Sequence, residues 1–264
     1  MSVPYSPAPD ERELHQRVCD LTSKAARPLV RYDDCEPWPK VLSGGSCFIL
    51  RFETGLVGVT ANHVLAAFEE DRQQNPGIRF LLRTAPIDLF GAIIARDADL
   101  DIATFSVTED TLRESEGLAL DCRAEWPPPV PVKGHALSFC GFPTTFAKRS
   151  LHSNIEFREY ANLTLVQDVT PRDIIVTYEP TRDSRVVASP GYPELGLNLS
   201  GCSGGPTLLH ISRSGLHRWF PVGMMIEGPR DQGKGMAAEF DMIRLRRIHF
   251  IQPGGTIAHA SSGA

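Results

Sequence analysis

The sequence predicts an all-β protein in two β-rich halves, with one short helix ahead of them. Three observations carry this expectation. Short apolar runs rich in Val, Ile, Leu and Phe recur along most of the 264 residues. The 22 glycines and 21 prolines, gathered with Asp between those runs, favour short strands over long helices. A proline cluster, Trp126-Pro127-Pro128-Pro129-Val130-Pro131, then divides the chain, because prolines lack amide donors and cannot continue a sheet.

Residues 1–9 read as a Pro-rich tail. Asp10 and Glu13 have the spacing of a capping box, and Leu14, Val18 and Leu21 recur at helical period. A helix is therefore predicted over 11–26, ended by Pro28. The runs 47–52 and 56–60 flank Glu53-Thr54-Gly55 and predict a β-hairpin. Further strands are predicted at 79–82, 91–95, 102–107, 136–141, 163–167, 173–178 and 218–226. Residues 228–235 read as an exposed loop. Phe240, Ile243, Leu245 and Ile248 suggest a C-terminal helix capped by Asp241, followed by a frayed end from Gly254. The division is then 1–26 for tail and helix, 27–125 for the first half, 126–131 for the linker, 132–250 for the second half and 251–264 for the C-terminal tail.

A net charge of −5 argues against a strongly basic nucleic-acid surface. No stretch approaches the roughly 18 apolar residues of a membrane helix, and the N-terminus has no apolar leader segment. The six cysteines show neither CxxC pairs nor metal-ligand spacing. A cytoplasmic protein with reduced thiols, no cofactor and no metal is expected.

Three segments carry chemistry: Thr60-Ala61-Asn62-His63-Val64, Asp99-Leu100-Asp101-Ile102-Ala103 and Gly201-Cys202-Ser203-Gly204-Gly205-Pro206. A serine hydroxyl is a weak nucleophile at neutral pH and needs a general base, which histidine suits. A carboxylate can fix the imidazole tautomer, and glycines let backbone amides face a developing oxyanion.

These segments resemble the T-A-x-H, D-[IL]-A and G-x-S-G-G-P motifs of chymotrypsin-like serine proteases, in the same order. Asn62-His63-Val64 is most similar to bacterial HtrA-like and trypsin-like peptidases, here without a PDZ-sized segment after the catalytic half. The resemblance spans about residues 40–250. It implies two six-stranded antiparallel β-barrels and a serine endopeptidase acting on protein or peptide substrates. Ser203 would be the nucleophile, His63 the base and acid, and Asp101 its orienting carboxylate. The amides of Gly201 and Ser203 would form the oxyanion hole. Asp97 and Asp99 compete for the carboxylate role, but the apolar run of Ile102, Ala103 and Phe105 favours Asp101.

The chain also departs from the family. Secreted members place an acid before the nucleophile, to pair with a newly cut N-terminus; here that residue is Cys202. The site is therefore expected to form without such cleavage, constitutively or through a regulatory protein partner. Val64 stands where those enzymes carry a bridged cysteine, so Cys47 lacks that mate, and Cys202 is expected to be a small packed residue. By the same carry-over the substrate pocket has its floor at Leu197 and Asn198 and its wall at Ile226, Glu227 and Gly228, with an uncharged P1 residue expected. The N-terminal helix either packs across the barrels or docks a partner. Two alternatives stay open: a catalytically idle binding module, and an esterase of α/β-hydrolase type. The esterase would need a histidine after the serine, such as His210 or His217.

Overall fold

Strands dominate the computed structural model, which describes residues 9–33, 40–144, 148–149, 155–178, 199–214, 216–228 and 241–258. The chain enters through α1 (Pro9–Ala25), which runs directly into β1 (Ala26–Asp33). Of the expected capping box, the Asp10 side chain is outside what is described, while Glu13 pairs with Arg17 one turn on. Pro28 does not end the helix as expected; it lies two residues inside β1. Its missing amide is tolerated because the ladder between β1 and β4 (Ile78–Leu82) begins only at Leu29, and the Pro28 carbonyl accepts from the Arg83 amide at 2.8 Å.

The expected hairpin is present as β2 (Lys40–Phe52) and β3 (Gly55–Ala61). After it come α2 (Asn62–Gln74), β4, β5 (Ala85–Pro86), β6 (Ile93–Asp97), β7 (Ile102–Val107), α3 (Glu109–Glu114) and β8 (Ala119–Asp121). The strands form a sheet in the order β5-β4-β1-β2-β3-β7-β6, with β8 parallel to β2 at Ile49–Arg51, beyond Phe48, where the pairing with the start of β1 ends. This half is thus an open, otherwise antiparallel sheet of eight strands and not the expected six-stranded barrel. Its two end strands do not pair, and β5 is only two residues long.

The second half contains β9 (Ala136–Gly141), a small hairpin of β10 (Lys148–Arg149) with β11 (Ile155–Glu156), and β12 (Tyr160–Val169), β13 (Asp173–Tyr178), β14 (Pro206–Arg213), β15 (Leu216–Glu227) and β16 (Asp241–Arg247). Six of these close an antiparallel barrel in the order β12-β13-β16-β15-β14-β9. The expected C-terminal helix is β16 instead. Ile243 and Leu245 are fully buried while Met242 and Arg244 face out, the period of a strand, and β16 fills the gap between β13 and β15. The loop expected at 228–235 falls outside the described residues beyond Gly228. The tail is packed further than expected: Gly255 is buried and its carbonyl accepts from Thr104 Oγ1 at 2.6 Å.

The two halves share a core. Leu208, Met224, Ile248, Phe250 and Ile251 join the same buried cluster as Phe48, Leu50 and Phe105. The proline segment is packed as well. Trp126 sits edge-on to Phe52 at 5.0 Å and donates from its indole to the Ile251 carbonyl at 2.8 Å, and Pro128 and Pro131 are buried. Helix α1 lies on the barrel, where Cys19 and Ala26 pack with Cys140 and Ala161, and the hydroxyls of Thr22 and Ser138 bond at 2.6 Å.

His249, just after β16, is half-buried, and its Nδ1 has no hydrogen-bond partner among the described residues. Burial, with the charge of Arg247, pulls its imidazole from 6.5 down to about 4. The folded state therefore disfavours the proton that the unfolded chain takes up near 6.5. This contribution to stability is fully present above that pH and is lost as pH falls toward 4. Urea titrations should show stability dropping between pH 7 and 4.5, with a smaller drop in His249→Gln; equal slopes would contradict this.

Candidate active site

His63 is the second residue of α2. The residue before that helix is Ala61, which has no side-chain oxygen, so nothing local caps the free amides. The cap comes instead from Asp101, which precedes β7. Its carbonyl accepts from the Asn62 amide at 3.2 Å, and its Oδ1 accepts from the His63 amide at 2.9 Å. The carboxylate's charge at the helix N-terminus adds to the hydrogen bond. Asp101 holds a left-handed backbone (φ 54°), which a short polar side chain tolerates better than most.

The second oxygen of the same carboxylate, Oδ2, lies 2.7 Å from His63 Nδ1. An ionised carboxylate can only accept, so Nδ1 carries the proton and Nε2 of the neutral ring is left with a lone pair. The His63 side chain is 49% exposed and Asp101 22%, so the ring edge is open to an incoming molecule while the carboxylate is mostly covered. Arg96 ties α2 down, bonding Asn62 Oδ1 and Glu69 Oε2 at 2.8 Å each. The competing acids are engaged elsewhere: Asp97 accepts from the Leu100 amide at 2.8 Å, and Asp99 pairs with Arg172 at 2.7 Å.

Ser203 lies in a tight turn leading into β14. The turn is docked on the other half of the molecule, since Gly204 has φ +86° and a Cβ there would come 2.1 Å from the Ser46 carbonyl, 2.5 Å from Thr60 Oγ1 and 3.0 Å from the Ala61 amide. Only glycine allows that approach. Thr60 and Ala61 end β3, so the turn sits against the strand that delivers His63.

Each carbonyl from Ser200 to Ser203 is fastened. That of Ser200 accepts from the Thr144 amide at 2.9 Å, Gly201 from Ser46 Oγ at 2.7 Å, Cys202 from the Gly205 amide at 2.9 Å and Ser203 from the Ser46 amide at 2.9 Å. A trans peptide points its N–H opposite to its carbonyl. The amides of Cys202 and Gly204 accordingly reach Leu199 O and Met225 O on the far side, at 3.0 and 2.7 Å. The amides of Gly201 and Ser203 are directed away from Thr144 and Gly205, and no described residue accepts from either. These are the two donors expected to face an oxyanion.

Of the expected pocket, Leu197 and Asn198 lie outside the described residues. Ile226, Glu227 and Gly228 are half-buried at and just beyond the end of β15. Glu227 accepts a hydrogen bond from the Arg244 guanidinium on β16, a pairing that sequence reasoning missed. Gly228 packs close to Leu199. His210 Nε2 and His217 Nδ1 are 2.9 Å apart, and His210 stacks on Trp219. Among the described residues no group of three or more His, Cys, Asp or Glu is placed to hold a metal. No helix among the described residues is long and apolar enough to cross a membrane.

Cys202 is 1% exposed, and burial raises its thiol far above the usual range. Cys140 is raised likewise, and burial pushes Cys19, Cys47 and Cys122 up to about 12. All five are free and buried, which fits Cys202 as a packed residue. Comparison with protein-family models and with curated proteins finds no match to this chain.

Two outcomes follow from this geometry. Gly204→Ala should cost more than about 3 kcal/mol, because backbone overlap adds to the left-handed penalty. Gly134→Ala (φ +87° with open space around it) should cost only about 1–2 kcal/mol in the same denaturant titrations. Iodoacetamide at pH 8 should leave those five thiols unlabelled in the native protein and modify them in denaturant. Labelling of native Cys202, read by peptide mapping, would show that the turn is open.

Proposed function

We propose that the protein is a serine endopeptidase of chymotrypsin-like architecture, in which the open N-terminal sheet stands for the first barrel and the closed barrel for the second. The observation that carries this reading is the Asp101 carboxylate on His63 Nδ1 at 2.7 Å, with the Ser203 turn seated against the strand end that precedes His63. The contact of His63 with Asp101, and the seating of the Ser203 turn beside the strand that leads to His63, support a reading as nucleophile, base and orienting acid.

In the reaction, Ser203 Oγ attacks the scissile carbonyl as His63 Nε2 takes its proton. Asp101 holds the ring and stabilises the imidazolium. The carbonyl oxygen, now negative, enters between the Gly201 and Ser203 amides. His63 then returns the proton to the leaving amine, and water, activated by the same base, releases the acyl group from Ser203. Glu227 is neutralised by Arg244, which supports an uncharged P1 side chain. The mostly β fold, and the engagement of His210 with His217, count against the esterase alternative. Five buried free thiols support a reducing compartment such as the cytoplasm.

A fluorophosphonate probe should label Ser203 in the wild type and fail with Ser203→Ala or His63→Ala. Against a denatured-proteome substrate, Asp101→Asn should lower kcat by about 10³–10⁴-fold, because Asn supports the wrong imidazole tautomer. Peptide cleavage undiminished in Ser203→Ala would sink the proposal.

A further inference from the structure

Resting on that reading, we infer that Ser46 is the positioning residue that keeps the oxyanion-binding turn in shape, the task that a cleaved N-terminus performs in secreted chymotrypsin-like enzymes. Ser46 lies on β2 and is fully buried, so water does not compete for its bonds. Its hydroxyl donates to the Gly201 carbonyl at 2.7 Å and accepts from the Phe142 amide at 2.9 Å. Its own amide donates to the Ser203 carbonyl at 2.9 Å, and its carbonyl accepts from Thr60 Oγ1 at 2.8 Å. One residue therefore holds two of the four fastened carbonyls, and it joins them to the end of β9 and to β3.

The turn needs such a tie because it cannot hold itself. Gly201 (φ +97°) and Gly204 (φ +86°) are free of Cβ and have shallow backbone preferences. The residue between Gly201 and Ser203 is Cys202, whose neutral buried thiol offers no ion pair to a terminal ammonium. Fixing the Gly201 and Ser203 carbonyls toward Ser46 fixes the planes of the two peptides that follow them. The peptides that present the Gly201 and Ser203 amides are interleaved with these, so the oxyanion donors are preset without proteolysis. Removing the hydroxyl leaves the Gly201 carbonyl and the Phe142 amide without this partner, and a glycine peptide free to rotate.

The test uses a fluorophosphonate probe on the full chain, resolving the inactivation rate constant from the probe affinity. The variants are Ser46→Ala, Ser46→Cys (which keeps the volume with a much weaker hydrogen bond) and Thr22→Val. Thr22 is another fully buried hydroxyl, bonded to Val18 and Ser138 and not to the turn. Ser46→Ala and Ser46→Cys should lower the rate constant by about 10–100-fold with affinity little changed. Thr22→Val should lose stability but keep the wild-type rate constant. A wild-type rate constant in either folded Ser46 variant overturns the inference, as does an equal loss in Thr22→Val. Absence of Ser203 labelling in the wild type is a different failure: it removes the serine-nucleophile reading, and this inference with it.

Discussion

Asp101 uses one carboxylate for two purposes, and the arrangement of the site depends on both. One oxygen caps the amide of His63 at the start of α2, and the other holds the ring of the same residue. Helix start and imidazole orientation are locked to a single group, itself fixed in a left-handed conformation before β7. Because β7 pairs with β3 from Ala61↔Ile102 onward, the strand leading into His63 and the strand leaving Asp101 run side by side. The contact is therefore a consequence of the sheet register. A slip of one residue in that pairing would take Asp101 out of line with the Asn62 and His63 amides it caps.

The second constraint is the seam between the open sheet and the barrel. Buried apolar residues from both halves form one cluster, but the fine alignment is polar: Ser46, Thr60, Phe142, Gly201 and Ser203 are joined by the hydroxyls of Ser46 and Thr60 and by backbone groups. Each such bond contributes only about 1 kcal/mol net. Their value lies in direction, since they fix which way consecutive peptide planes face. The same seam explains why Cys202 can be a small buried residue: the turn is held from β2 and from the residue after β9, not by a charge beside Ser203.

Much of this was legible in the sequence. The hairpin before His63, the strand after Asp101 and the motif order follow from local pattern, and the structure places His63 and Asp101 together. Helix α2 was missed although Val64, Leu65 and Phe68 have helical spacing, because its cap is supplied from about forty residues downstream and leaves no local start signal. Strand β16 was misread because Phe240, Ile243, Leu245 and Ile248 fit a loose helical period, whereas burial of Ile243 and Leu245 two apart reflects pairing on both sides. Strand β1 was hidden by its proline. Ser46 had no signature, since the partners of its hydroxyl are backbone groups 96 and 155 residues away.

The most direct measurement is a crystal structure of the fluorophosphonate adduct. The expected result is a covalent bond to Ser203 Oγ, with the phosphoryl oxygen about 3 Å from both the Gly201 and Ser203 amides and His63 still on Asp101. An adduct on another residue, or a phosphoryl oxygen pointing away from those two amides, would contradict the site described.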